Sequence, residues 1–496
     1  MKHATIASLI KYSCVSKANK EFFVDDNSRI SGHLLWQNVL SAAYWLAKKG
    51  LKKGDVVAFY CTSSVYHAIT FFACLVSGIV PCCLHIRETK ERNTKNVQFI
   101  DAKALFVDPD LEYQAQSLIA PDRIFCLHGK FSNVETENLN ITTVNPTDLA
   151  LILISSGTTG EPKCISHTQK SLAATAEYGP YNYDIWSEED SVIVVMAPSF
   201  SAWIHTVFPI VFIQGRVIFR KNFDSTSFLK DLEAERITLA PLVPTIWRMV
   251  LNANPETYDL SNLKSIFFSG EPGSESLVND LKQKIGPNII TSYLTSEGGC
   301  AAGIVADSNI LFIENQASST GRAIKDAEVR IINPEGSFSD ELPRCEIGEI
   351  ALKSASLANG YFKNSSLSKE KFSQGWWRSG DLGFFDHNGL LFVKGRLDNR
   401  INTGGIKVFA EDVEECLLKH PDVQSAAVVG NPDKKWGQKV VAHIVATNDD
   451  LEPSSLLNFL RRGDFLPTTH LPKEVHFHDS LPIGPTGKLF RRGLYK

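Results

Sequence analysis

Apolar residues in this chain fall into short unbroken runs separated by stretches in which they recur every three or four positions. Val56, Val57, Ala58, Phe59 and Tyr60 form one such run, and residues 66–78 then carry helical spacing. Further runs at 149–154, 191–196, 237–240 and 263–269 have the length and β-branched content of buried strands. Short apolar runs alternating with helical patterns predict an α/β fold whose sites lie in the loops at the strand ends.

The pattern changes near residue 395. A hairpin strand is expected at 389–393, followed by the polar stretch Gly395, Arg396, Leu397, Asp398, Asn399 and Arg400. Beyond it, helices are expected at 410–419 and 456–462 and strands at 426–429 and 440–445, a compact unit of about 100 residues. The expectation is a large N-terminal domain over 1–397 and a small α+β domain over 398–496, and 496 residues exceed what one ordinary core holds.

Bulk properties narrow the classes. A hydrophobic share of 43% and a charged share of 21% are those of a globular enzyme. A net charge of −4 gives no electrostatic case for nucleic acid or an anionic membrane. No run is long and apolar enough to span a bilayer, and no signal-peptide pattern opens the chain. Ten scattered cysteines without a CxxC framework fit a reduced, cytoplasmic setting.

The most informative segment follows the run at 149–154. Ser155, Ser156, Gly157, Thr158, Thr159 and Gly160 lead through Glu161 and Pro162 to Lys163. Small residues let backbone N–H groups approach an anion, hydroxyls add donors, and Lys163 adds a point charge, which suits a polyphosphate. Cys164 stands where a P-loop needs Ser or Thr, so this is not that motif. Composition alone also allows a plain surface loop.

The segment resembles the phosphate loop of the adenylate-forming (ANL) superfamily, which comprises acyl-CoA synthetases, coumarate ligases, firefly-type luciferases and peptide-synthetase adenylation domains. Other segments match that family in the expected order, so the resemblance spans nearly the whole chain. It implies an ATP-binding set of Ser155, Ser156, Gly157, Thr158, Thr159, Gly160 and Lys163, with Gly270, Glu271 and Pro272 near adenine. The segment Tyr293, Leu294, Thr295, Ser296, Glu297 implies an aromatic ring on the base, a hydroxyl at Ser296 and a Mg²⁺ ligand at Glu297. Asp381 and Arg396 match the ribose-contacting positions. Lys488 matches the lysine that meets the α-phosphate and carboxylate during adenylation, so the implied catalytic groups are Lys488, Glu297 and Lys163.

The resemblance further implies a thiol path at Gly404, Gly405 and Lys407, and a hinge at Asp398. The acyl pocket is expected around Phe200, Ser201, Trp203, Leu294 and Gly298, although rings in an apolar run serve equally well in a core. Ser201 is not an acid, so an α-ammonium group has no partner there. His205 reads as a structural histidine.

The implied reaction joins a carboxylic acid to ATP as an acyl-adenylate, with Mg²⁺, and then transfers the acyl group to CoA. Three alternatives stay open: loading an acyl carrier protein's phosphopantetheine, forming an amide or ester, or binding nucleotide without turnover. Lys163, Glu297, Asp381, Arg396 and Lys488 are all retained, which weighs against the last.

Overall fold

The computed structural model describes residues 3–127, 143–155, 163–270, 273–312, 316–324, 327–448, 450–463, 465–482 and 489–495, with backbone only at 300–306 and 308. The chain is mixed α/β and divides into two compact units, residues 1–329 with 352–377, and residues 330–351 with 378–496. The expected border at Leu397 and Asp398 falls inside the second unit.

The first unit is built on a nine-stranded sheet. Its order is Arg322–Ala323, Gly299–Ala306, Asn288–Thr295, Ser265–Phe268, Leu239–Leu242, Ser191–Val194, Arg216–Phe219, Glu21–Val24 and Arg29–Ser31. Its middle strands pair in parallel. A four-stranded parallel sheet runs Val80–Cys83, Val56–Tyr60, Ala104–Val107, Ile124–Cys126. The unbroken apolar runs are explained by burial on both faces, since every residue of Ser191–Val194, Leu239–Leu242 and Ser265–Phe268 is buried.

Local chemistry sets the element ends. The helix Val65–Ser77 starts where Ser64 accepts the His67 N–H and stops at Gly78, whose φ of 70° suits a residue without Cβ. The strand expected at 237–240 begins later, at Leu239, because the Ile237 N–H closes back on the Leu232 carbonyl to end the helix Ser225–Ala234. The expected hairpin strand at 389–393 is Leu391–Arg396, because Gly389 (φ 74°) belongs to the turn in which its N–H bonds Asp386.

The largest core cluster joins Phe59, Phe71 and Phe72 to Trp203, Phe208 and Phe219. Burying one such side chain contributes about 1.5–3 kcal/mol. The helix Ser201–Phe212 adds Ile204, Val207, Phe208, Ile210 and Val211 to this core. Among the described residues no helix is long and apolar enough to cross a membrane.

The second unit contains a sheet ordered Ile406–Phe409, Arg400–Thr403, Gly437–Ala446, Val423–Asp433, with Glu474–Phe477 parallel to Gly437–Ala446. The helices Ala410–Leu417 and Pro453–Arg462 supply Val413, Leu417, Leu456 and Leu460 to its core.

Candidate active site

The strands Leu149–Ser155 and Lys163–Thr168 form an antiparallel pair in which Ser155 stands opposite Lys163. Ser155 Oγ donates to the Lys163 carbonyl at 3.3 Å. Ser156, Gly157, Thr158, Thr159 and Gly160 lie outside the described residues, as do Glu271, Pro272 and Lys488.

Lys163 meets Glu297 across the first unit. Lys163 Nζ lies 3.2 Å from Glu297 Oε1 and 4.5 Å from the centre of the Tyr361 ring. The Tyr361 hydroxyl donates to the same Oε1 at 3.1 Å and accepts from Trp377 Nε1 at 3.4 Å. Glu297 is 9% exposed and Tyr361 5%, so this ion pair is partly desolvated and stronger than a surface pair.

The backbone around Glu297 is fixed from several sides. The Ala358 N–H donates to the Glu297 carbonyl at 2.7 Å, and Ser356 Oγ to the Gly298 carbonyl at 2.7 Å. The Gly298 N–H bonds Thr295 Oγ1 at 2.9 Å. His167 Nε2 lies 2.8 Å from the Ser296 carbonyl, which can only accept, so Nε2 carries the proton. Burial pushes the His167 pKa down to about 4, which keeps the ring neutral.

Ser296 Oγ donates to Ser201 Oγ at 2.9 Å, joining a predicted nucleotide residue to a predicted acyl residue. Phe200 precedes the helix Ser201–Phe212, and its ring meets the His85 ring edge-on at 4.9 Å. Leu294 packs at the margin of the main core, and Tyr293 is buried in the strand Asn288–Thr295. Gly270, two residues beyond the strand Ser265–Phe268, has φ 84°, and a Cβ there would meet nothing within 4 Å. Trp203 belongs to the core. It is 0% exposed, stacks on Phe219 at 6.1 Å, and meets His67 edge-on at 5.0 Å, so it offers no surface to a ligand. His205 is also buried, and desolvation lowers its pKa to about 3.

In the second unit Asp381 pairs with Arg396 across a hairpin, with Arg396 Nη1 at 2.7 Å from Asp381 Oδ1. Gly404 and Gly405 have φ of 59° and 82°. A Cβ on Gly404 would come within 2.7 Å of the Trp436 ring, and the Gly404 N–H donates to the Trp436 carbonyl at 2.7 Å. Lys407 is exposed, as is Asp398 in the 3₁₀ turn Leu397–Asn399.

Tyr361 and His167 are the participants that sequence patterns did not disclose. Their placement comes from pairing between distant segments, Tyr361 with Ile165 and His167 with Ser296.

Residues 10–362 match the model of the AMP-binding enzyme family, and residues 412–488 match that of the AMP-binding enzyme C-terminal domain. The chain belongs to the AMP-binding enzyme family. A probable CoA ligase of Humulus lupulus is 28% identical over 517 residues, covering 98% of this chain and 95% of that protein. The 2-succinylbenzoate–CoA ligase of Bacillus licheniformis is 26% identical over 461 residues, 93% of each. Among solved structures, o-succinylbenzoate CoA synthetase from Bacillus subtilis, in complex with its acyl-adenylate intermediate, superposes with a TM-score of 0.85. It is 21% identical, covering 98% of this chain and 97% of that one. An amide bond synthetase from Marinactinospora thermotolerans gives 0.86 at 23% identity, covering 98% and 99%. These two structures carry the fold alone. This AMP-binding enzyme thus has the large and small domains of adenylate-forming proteins.

Proposed function

We propose that this AMP-binding enzyme activates a carboxylic acid with ATP as an acyl-adenylate and passes the acyl group to the thiol of CoA. The observation that carries the reading is the Lys163–Glu297 contact, which puts a cation and a hard oxygen ligand side by side at the end of the serine- and threonine-rich segment. Lys163 binds phosphate oxygens, and the ring of Tyr293 and the hydroxyl of Ser296 serve the nucleoside and α-phosphate. Asp381, whose carboxylate can accept two donors, and Arg396 take the ribose. Lys488 offsets the repulsion between carboxylate and phosphate. Positioning and electrostatics are sufficient for this transfer, since no protein nucleophile is needed.

Glu297 fits Mg²⁺. Among the described residues there is no cluster of three or more His, Cys, Asp or Glu side chains arranged for a metal. Magnesium is usually held by one or two carboxylates together with substrate phosphates and waters, so a single acid beside the phosphate segment is enough. Glu297 would hold the ion, which when bound supplies counter-charge to the phosphates.

Phe200, Ser201, Leu294 and Gly298 border the acyl end of the proposed site, Gly404, Gly405 and Lys407 serve the pantetheine arm, and a reducing cytoplasm is the proposed setting. Pyrophosphate exchange across a panel of carboxylic acids tests the first step. Exchange with at least one acid is expected, and ATP binding without exchange for any acid would leave a nucleotide-binding protein instead. Acceptor dependence of AMP release then tests the second step. Stimulation by CoA supports the proposal, whereas stimulation only by a phosphopantetheinylated carrier protein replaces CoA with that acceptor.

A further inference from the structure

We infer that Tyr361 is a positioning residue for adenylation, with its ring holding Lys163 and its hydroxyl holding Glu297. The inference rests on the proposed roles of those two residues and adds a third that supports both.

The geometry gives Tyr361 two separable contacts. Its ring centre lies 4.5 Å from Lys163 Nζ, within cation–π range. A lysine ammonium on a four-carbon stem has many rotamers, and an aromatic face beneath it narrows them. Its hydroxyl donates to Glu297 Oε1 at 3.1 Å while accepting from the Trp377 indole N–H at 3.4 Å. With one lone pair occupied by Trp377, the phenolic proton is directed at Glu297. Lys163 Nζ approaches the same oxygen, so the ammonium and the phenol together fix the rotation of the carboxylate.

Tyr361 is itself held firmly. Its N–H donates to Ser368 Oγ at 2.8 Å, and it is bridged to Ile165 on the strand that starts at Lys163. The Phe362 N–H and the Asn359 N–H bond the Cys164 and Ser166 carbonyls at 2.7 Å each. Phe372 meets the ring edge-on at 5.6 Å. The ring therefore shares one backbone frame with Lys163. The peptide at Glu297 has its own supports in Ala358, His167 and Ser356, so removing the hydroxyl should free the carboxylate without moving the chain.

The test compares full-length Y361F, Y361L and E297Q with wild type in pyrophosphate exchange, in Mg²⁺ titration of that exchange, in calorimetric binding of Mg·ATP, and in acyl transfer from supplied acyl-adenylate. Y361F keeps the ring and loses the hydroxyl. Exchange should slow on the order of tenfold, and half-saturation should move to higher Mg²⁺. The KM for the acid and transfer from supplied adenylate should stay unchanged. Y361L loses the ring as well, so Mg·ATP affinity should drop further than in Y361F. Wild-type rate and Mg²⁺ dependence in Y361F, alongside an impaired E297Q, would overturn the inference. So would a uniform loss at all Mg²⁺ concentrations that tracks a lowered Tm, the mark of a purely structural role. An unimpaired E297Q would instead remove Glu297 from the site, a failure of the underlying reading and separate from that of Tyr361.

Discussion

The surroundings of Lys163 in the first unit and the Gly404 turn in the second are built in opposite ways. Lys163 has a carboxylate, a phenol ring and a paired strand around it, and Glu297 and Tyr361 are buried. Gly404, Gly405 and Lys407 are exposed, and two adjacent positive φ angles replace side-chain contacts. The first arrangement orders charge before a substrate arrives, as stabilising a developing charge requires. On the proposed function, the second gives a thin acyl-accepting arm a backbone path at Gly404 and Gly405. On the same reading, metal and phosphate binding belong to the buried group and the path of the thiol to the exposed one.

The largest effect that could break this division is at Lys488. K488A should slow adenylation on the order of 10²–10³-fold while supplied acyl-adenylate still transfers to the thiol. Equal loss in both half-reactions would show that the two chemistries are not partitioned. Next comes Asp398, exposed in its 3₁₀ turn. D398P fixes φ near −65° and removes an N–H. Pyrophosphate exchange should persist and thioester formation should stop; transfer at the wild-type rate would mean that no rotation about this residue is needed.

Two smaller effects sharpen the contrast from the buried side. W203A should lower stability by about 3–5 kcal/mol and leave the ranking of acid substrates unchanged. Urea melts and the acid panel read the two together, and a changed ranking would return Trp203 to the acyl pocket. The buried histidines of the first unit make stability fall with pH. Desolvation lowers the pKa of His167 to about 4, and of His67 and His205 to about 3, from an ordinary value near 6.5. Between 6.5 and those values the unfolded chain binds protons that the folded chain does not. Stability is therefore complete at neutral pH and declines on acidification through 6.5 toward 4, by about 3 kcal/mol for His167 alone. Urea midpoints that stay level over that interval would show these rings to be protonated in the folded state.

Much of the fold was legible because its signals are local. Unbroken apolar runs marked the central strands, and the helical spacing over 66–78 marked the helix Val65–Ser77. The contact between Lys163 and Glu297 could be anticipated only through the family resemblance, since nothing within either segment points to the other. Tyr361 and His167 stayed hidden because each acts through a partner far along the chain, and a buried tyrosine or histidine leaves no periodic trace. Trp203 was ambiguous because an aromatic in an apolar run reads alike in a core and in a pocket wall. The border at Leu397 marked a change in polarity. Compact units follow contacts instead, and the strands Gly348–Lys353 and Trp376–Phe385 both run across the division.

The bond between Lys163 and Glu297 also bears on which ligands gain entry. At rest the Lys163 and Glu297 charges satisfy one another. A polyanion alone would engage the ammonium but leave the carboxylate facing like charge. On the proposed function, a nucleotide that arrives with a divalent counter-ion would give each member a new partner of opposite sign. On that reading, the resting ion pair thus favours a ligand that carries both signs over one that carries a single sign.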